Sequence, residues 1–227
     1  RILAWYGVDE MSDQHNYVNL ATAAYRHFRQ LDPHRPVISA VNNWDPSLVR
    51  RIMRALDVLM PDNYPLWTVV PPIPMTTVSD GADTAAKYAR GRSGLWTVPQ
   101  AFGMDSSAGI PSLDEIRCQA YLAITHGAKG LMWYTYGADG LKIKESPRGC
   151  WFLPDYRELW NGFTTLNAEI AALSSPILEG KSVTGVTCTE GLHVRALTYG
   201  GRQYTIVVNG TRSEIAGRIA GETLDGT

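Results

Sequence analysis

Cysteine is scarce in this sequence. Cys118, Cys150 and Cys188 are the only three in 227 residues, they lie far apart, and no CxxC pair occurs. That spacing argues against a disulfide scaffold and against a cysteine zinc site, and it leaves the redox compartment open. An excess of charge of one sign is also lacking, with 21 Lys+Arg against 22 Asp+Glu and no long run of either. A basic face for nucleic acid or for an anionic membrane is therefore not expected. No apolar stretch approaches the roughly 18–20 residues of a membrane-spanning helix. The five histidines show no HxH or HExxH spacing, so no metal centre is implied. GxGxxG, P-loop and GxSxG patterns are absent, which argues against a nucleotide cofactor and against serine hydrolase chemistry. The chain opens on Arg1 with neither a methionine nor a signal peptide, and reads as a piece cut from a longer protein.

What remains is the composition of a globular chain: 44% hydrophobic and 19% charged residues, enough for a sizeable core. Five short apolar runs end abruptly in polar or aromatic residues. They are Ile2–Val8 before Asp9-Glu10, Val37–Val41 before Asn42-Asn43, Val58–Met60 before Pro61-Asp62-Asn63-Tyr64, Leu95–Val98 before Pro99-Gln100, and Gly130–Met132 before Trp133-Tyr134. Continuous runs of this length suit strands buried on both faces of a parallel sheet. Helices are expected between them. Val18, Ala21, Tyr25, Phe28 and Leu31 form one stripe, and Asp45-Pro46 caps a helix carrying Val49, Ile52, Met53 and Leu56. Residues 81–91 are a weaker candidate. Ser112 with Glu115 is a capping-box pattern, and Leu159, Phe163, Leu166, Ile170 and Leu173 line a last long helix. The run ends recur every 20 to 38 residues, against about 30 per unit of a (β/α)8 barrel. The fold class is thus α/β, as a barrel or an open doubly wound sheet. After Ser174-Ser175-Pro176 the pattern changes to β-branched alternation, with Gly200-Gly201 as a hairpin signal. The expected organisation is a barrel part over 1–175 and a β-rich, sandwich-like accessory segment over 176–227.

In barrels the residues just past the strand ends line the site. Here they are Asp9, Glu10, Asn42, Asn43, Asp62, Asn63, Tyr64, Gln100, Trp133, Tyr134 and Tyr136. Carboxylates, amides and aromatic faces together suit a ligand with many hydroxyls and apolar ring faces, which points to carbohydrate. Glycosidic cleavage needs an acid on the leaving oxygen and usually a second carboxylate. Asp9-Glu10 is the strongest feature, since two acids ending an apolar strand are costly unless solvated, paired or used. They also fit an N-cap followed by a solvated loop acid. Asp62 serves equally as a second acid or as a cap on the turn before Tyr64-Pro65. Asn42-Asn43 fits hydroxyl binding or an Asx turn before Asp45. Of Trp133, Tyr134 and Tyr136, at least one should face the site, because consecutive strand residues point to opposite faces. Trp44, Trp67 and Trp96 carry no comparable signal.

Several segments resemble TIM-barrel glycoside hydrolases of the clan-A type. Ala4-Trp5-Tyr6-Gly7-Val8-Asp9-Glu10 resembles their fourth strand, whose final Glu is the acid/base. Leu31–Val37 resembles the joint into the fifth strand, Asp57–Pro65 the sixth, Trp96–Gly103 the seventh, and Gln119–Ala128 with Gly130–Tyr134 the last helix and eighth strand. The resemblance covers roughly residues 2–137. It implies that Glu10 is the general acid, with Asp9 or Asp62 assisting. Tyr6, Asn42, Asn43, Asn63, Tyr64, Gln100, Trp133, Tyr134 and Tyr136 are the expected substrate-binding set, without metal or organic cofactor. The sequence departs from the family at Gln100, where retaining members carry a nucleophilic Glu. The adjacent Asp-Glu pair also resembles substrate-assisted N-acetylhexosaminidases, which need no carboxylate there. The rival reading is a catalytically silent carbohydrate-binding barrel. Five strand candidates fall short of the eight that closure needs, so the missing amino-terminal barrel segment is expected as a partner, on the same or a separate chain. An extended strand through Asp9 and Glu10 would turn the two side chains apart, whereas a bend would bring both to the rim.

Overall fold

The structure is a computed structural model, which describes residues 2–11, 17–42, 45–67, 72–89, 94–104, 111–135, 150–152 and 157–221. The chain divides into two compact units. The first comprises residues 1–63, 80–98 and 127–132, the second residues 64–79, 99–126 and 133–227.

The first unit is built on a four-stranded parallel sheet in the order β1 (Trp5–Tyr6), β2 (Val37–Val41), β3 (Val58–Pro61) and β4 (Gly94–Leu95). An isolated parallel bridge, Thr97 to Leu131, follows β4. Every residue of β2 and β3 is buried, as their unbroken apolar runs require. Val41, Leu59 and Leu95 pack on one face of the sheet with Leu48, Ile52 and Ala85 of the flanking helices. Helix α1 (Tyr17–Leu31) buries Val18 and Ala21 and stacks Phe28 on Trp5, centroids 5.5 Å apart. Leu31, the end of the expected stripe, is instead 72% exposed. Helix α2 (Pro46–Ile52) starts where the sequence predicts: Asp45 accepts from the N–H groups of Ser47 and Leu48, and Pro46 fills the first position, where no N–H is needed. Asp57 ties the sheet to α1, accepting from Tyr25 Oη and from the Val37 N–H, both at 2.9 Å. Helix α3 (Thr77–Ala89) occupies the region of the weak candidate over 81–91.

The second unit contains α4 (Leu113–Thr125), α5 (Arg157–Ala172) and the short α6 (Ser174–Glu179), with three antiparallel sheets. β5 (Phe102–Met104) pairs β6 (Cys150–Phe152). β7 (Lys181–Ser182), β9 (Leu192–Tyr199) and β10 (Arg202–Asn209) form a second sheet, and β8 (Thr187–Cys188) pairs β11 (Ile219–Ala220). Both halves of the predicted capping box form at Ser112 and Glu115. Gly200 and Gly201 have φ of 57° and 73°, the two left-handed residues that a two-residue hairpin turn demands. Ala196, Leu197 and Val208 are the buried residues of the hairpin. Arg195 donates to the Ile124 carbonyl at 2.7 Å, and His126 Nε2 lies 2.7 Å from His193 Nδ1, so β9 is tied to the end of α4.

Candidate active site

The acids singled out in the sequence converge in the first unit. β1 ends at Tyr6, and the chain then turns at Asp9-Glu10. Glu10 has φ of 40°, a left-handed conformation that costs a non-glycine residue on the order of 1–3 kcal/mol. The bend, and not an extended strand, orients the pair. Asp9 accepts from Tyr6 Oη at 2.5 Å, and the Glu10 side chain acts on the Asp62 carboxyl. Asp9 and Glu10 are exposed, while Asp62, one residue past β3, is only 4% exposed.

These surroundings set the protonation states. Burial pushes the Asp62 carboxyl up to about 8, and the Glu10 hydrogen bond, the Glu10 charge and the more distant Asp9 charge act in the same direction. At neutral pH Asp62 therefore keeps its proton. Partial burial, then the hydrogen bond and charge of Asp9, hold the Tyr6 phenol above its ordinary value. Asp62 Oδ1 and Asn63 Oδ1 are buried without a hydrogen-bond partner. Asn63 Oδ1 also explains Gly81 in the middle of α3, because a Cβ there would stand 1.9 Å from that oxygen. Among the described residues no group of three or more His, Cys, Asp or Glu side chains is arranged to hold a metal ion.

The second unit holds a cluster of four aromatic rings. Tyr64 stacks on Trp67 at 6.1 Å and on Tyr134 at 6.3 Å, and the buried Phe102 meets all three rings edge-on. Trp67 is 39% and Tyr134 50% exposed, so this cluster presents ring surface to solvent. Trp133 points elsewhere: its indole N–H donates to Asn167 Oδ1 at 3.1 Å and its ring packs on Phe163. Gln100 is fully buried and its carboxamide is committed to the fold. Its Oε1 accepts from the Leu66 N–H, its Nε2 donates to the Phe102 carbonyl, and its backbone is clasped from both sides by the Gln119 side chain. Asn42 is exposed after β2. Asn43 and Tyr136 lie outside the described residues. Trp67 is the aromatic residue that the sequence reading passed over; its spacing of three from Tyr64 across a Pro turn was the available signal.

No family model matches the chain. No curated protein matches it either. Solved structures with a similar chain course include a beta-galactosidase from the psychrophilic Marinomonas ef1, at 16% identity and a TM-score of 0.45, covering 52% of this chain and 21% of that one. Another is a GH2 beta-galacturonidase from Eisenbergiella tayi bound to galacturonate, at 15% identity and a TM-score of 0.44, covering 66% and 29%. A third is a Bacteroides fragilis protein provisionally described as a beta-galactosidase, at 10% identity and a TM-score of 0.49, covering 92% and 37%. The chain thus spans 21–37% of the length of those structures.

Proposed function

We propose that this chain is the carboxyl-terminal part of a (β/α)8-barrel glycoside hydrolase in which Glu10 is the general acid/base. The observation that carries the reading is the Glu10–Asp62 pair, an exposed acid beside a buried carboxyl that keeps its proton at neutral pH. Two such groups in contact share a single proton, because both cannot ionise cheaply together. Glu10 is the member that faces solvent, so it hands the shared proton to a glycosidic oxygen while Asp62 resupplies it. As the leaving group departs, the pair becomes doubly ionised opposite the developing oxocarbenium charge, and Glu10 then takes a proton from the attacking water. Carboxyls in contact leave no room for a sugar between them, whereas flanking pairs stand about 5–5.5 Å or 6.5–9.5 Å apart. In this reading Asp62 is the proton-holding partner and not the opposing carboxylate. Asp9, a substrate acetamido group, or the remaining barrel segment supplies assistance from the other side. That segment, on the same or a separate chain, pairs with the outer edge of β1.

Glu10→Gln is expected to lower turnover at least about 10²-fold on substrates with poor leaving groups, the scale for losing an acid catalyst. Activated aryl glycosides should suffer less. Unchanged release of reducing sugar by this variant on a natural glycan would remove the assignment. A second reading, a carbohydrate-binding barrel without turnover, draws on Gln100, whose buried carboxamide is bonded to Leu66 and Phe102 and offers no nucleophile. A panel of glycans that bind without any release of reducing sugar would favour it.

A further inference from the structure

Among the described residues of the second unit, β10 pairs with β9 along one side only, and its other edge borders a groove of about 480 Å³. The register fixes which backbone groups point outward. The two-residue turn makes Tyr199 and Arg202 a hydrogen-bonded pair, so the alternation of an antiparallel ladder makes Ala196–Thr205 and Val194–Val207 non-hydrogen-bonded pairs. Two flanking bonds agree with this phase: the Val183 N–H reaches the Ala196 carbonyl from the far side of β9, and the Gly210 N–H reaches the Gly191 carbonyl. The N–H and C=O groups of Thr205 and Val207 therefore point away from β9, and among the described residues they meet no other backbone group. The next outward carbonyl, that of Asn209, is taken by Cys118 Sγ at 3.4 Å.

Proteins normally blunt such an edge with a charge, a proline or a bulge. Tyr204–Val208 has none of these, and Val207 is 39% exposed. The facing wall of the groove comes from α4 and α5. Its Glu169 is compensated, since Arg117 grips it through two bonds of 2.6 Å and Tyr121 adds a third. Asp114, also on that wall, makes no hydrogen bond or ion pair among the described residues and lies within the field of Arg117, and with Asp114 and Glu169 against Arg117 the lining has one more acid than base. Alternating donors and acceptors at strand spacing are matched by an extended backbone, and the Asp114 carboxylate by a cation.

We propose that this groove binds an extended polypeptide segment bearing a basic residue, which adds as a further strand to the edge of β10 at Thr205 and Val207. The proposal is independent of the glycosidase reading. It is tested on the 227-residue chain with a blocked synthetic hexapeptide that alternates threonine and valine around one central lysine. In the free, dilute protein the Thr205 and Val207 amides should exchange rapidly with deuterium, and saturation with the peptide should slow both at least about tenfold. N-methylating the peptide's facing amides should weaken binding at least about tenfold, the scale of one or two net hydrogen bonds. Val207→Pro, which removes an outward N–H at an edge position, should weaken it similarly. Asp114→Asn should cost affinity for the lysine peptide and none for a version with glutamine in its place. Three results would each overturn the proposal: amides already protected in the dilute free protein, equal binding of the N-methylated peptide, or protection that rises with protein concentration alone. The last would assign the edge to a second copy of the chain.

Discussion

Leu59 in the parallel sheet and Leu197 in the hairpin are both fully buried, yet their strands are buried differently. Every residue of β3 is buried, whereas β9 buries only Ala196 and Leu197 among its eight residues. A strand covered on both faces removes water from whatever polar group follows its last apolar residue. Asp62 follows β3 and is driven to keep its proton. A strand covered on one face keeps its polar groups near water or within reach of partners, and β9 accordingly carries His193 and Arg195 without difficulty. Unusual protonation is therefore expected where the doubly covered sheet stops, and strand-edge recognition where the hairpin does.

The largest effect should come from emptying the two cores. Leu59→Ala and Leu197→Ala should each cost about 2–5 kcal/mol, with Leu59 toward the upper end because the packed surroundings of β3 collapse less readily into the cavity. Urea unfolding of both variants measures the difference. Equal losses would break the comparison and make the hairpin cover as rigid as the sheet.

How much of this was legible in the sequence follows the same division. Continuous apolar runs located β2 and β3, capping chemistry located the starts of α2 and α4, and Gly200-Gly201 located the hairpin. These signals are local, so a single sequence carries them. The first run was read over Ile2–Val8, yet only Trp5 and Tyr6 form β1, and Ile2 and Leu3 are 49% and 74% exposed. The described strand has a neighbour on one side alone, and apolar content does not reveal how many neighbours a strand has. Asp9, Glu10 and Asp62 were each legible as acids at strand ends. That Glu10 acts on Asp62 was not, because it needs both the parallel register and the left-handed turn at Glu10. Gln100 stood out at a strand end for the same reason as Asp62, but its bonds to Leu66, Phe102 and Gln119 depend on tertiary placement.

A smaller effect sharpens the protonation side of the comparison. The Asp62 carboxyl titrates near 8 in the folded chain, against an ordinary value of 3.8. Between those values the folded state binds a proton that the unfolded chain has released, so this group makes stability fall as pH rises through the window. The cost is fully expressed above about pH 8 and vanishes below about pH 4. Asp62→Asn keeps the shape and removes the titration. Its stability relative to wild type should therefore improve by about 1–3 kcal/mol between pH 5 and pH 8, less than the whole shift implies because Glu10 remains hydrated. Melting temperatures of both proteins at the two pH values provide the check. Curves that stay parallel would mean that Asp62 is ionised throughout and that the pair shares no proton.

The smallest effect concerns the aromatic cluster of the second unit. A ring held for packing and a ring held for a ligand differ in what their loss does to stability and to binding. Trp67 stacks on Tyr64 and meets Phe102 edge-on, yet 39% of it is exposed. Phe102 beneath it is 4% exposed and is the structural member of the group. Trp67→Ala should leave the folded chain near wild-type stability, apart from aromatic pairing worth about 0.5–1.5 kcal/mol. If the exposed face receives a sugar ring, glycan affinity should fall by a few fold to about tenfold, since a lost stacking face is worth an energy of similar size. Trp67→Phe should restore part of that affinity by returning an aromatic face, which no purely structural account of an exposed ring requires. Isothermal titration with one glycan across the three proteins separates the accounts. If Trp67→Ala lowers stability and leaves affinity unchanged, the column of rings is a packing device and the sugar-binding surface lies elsewhere.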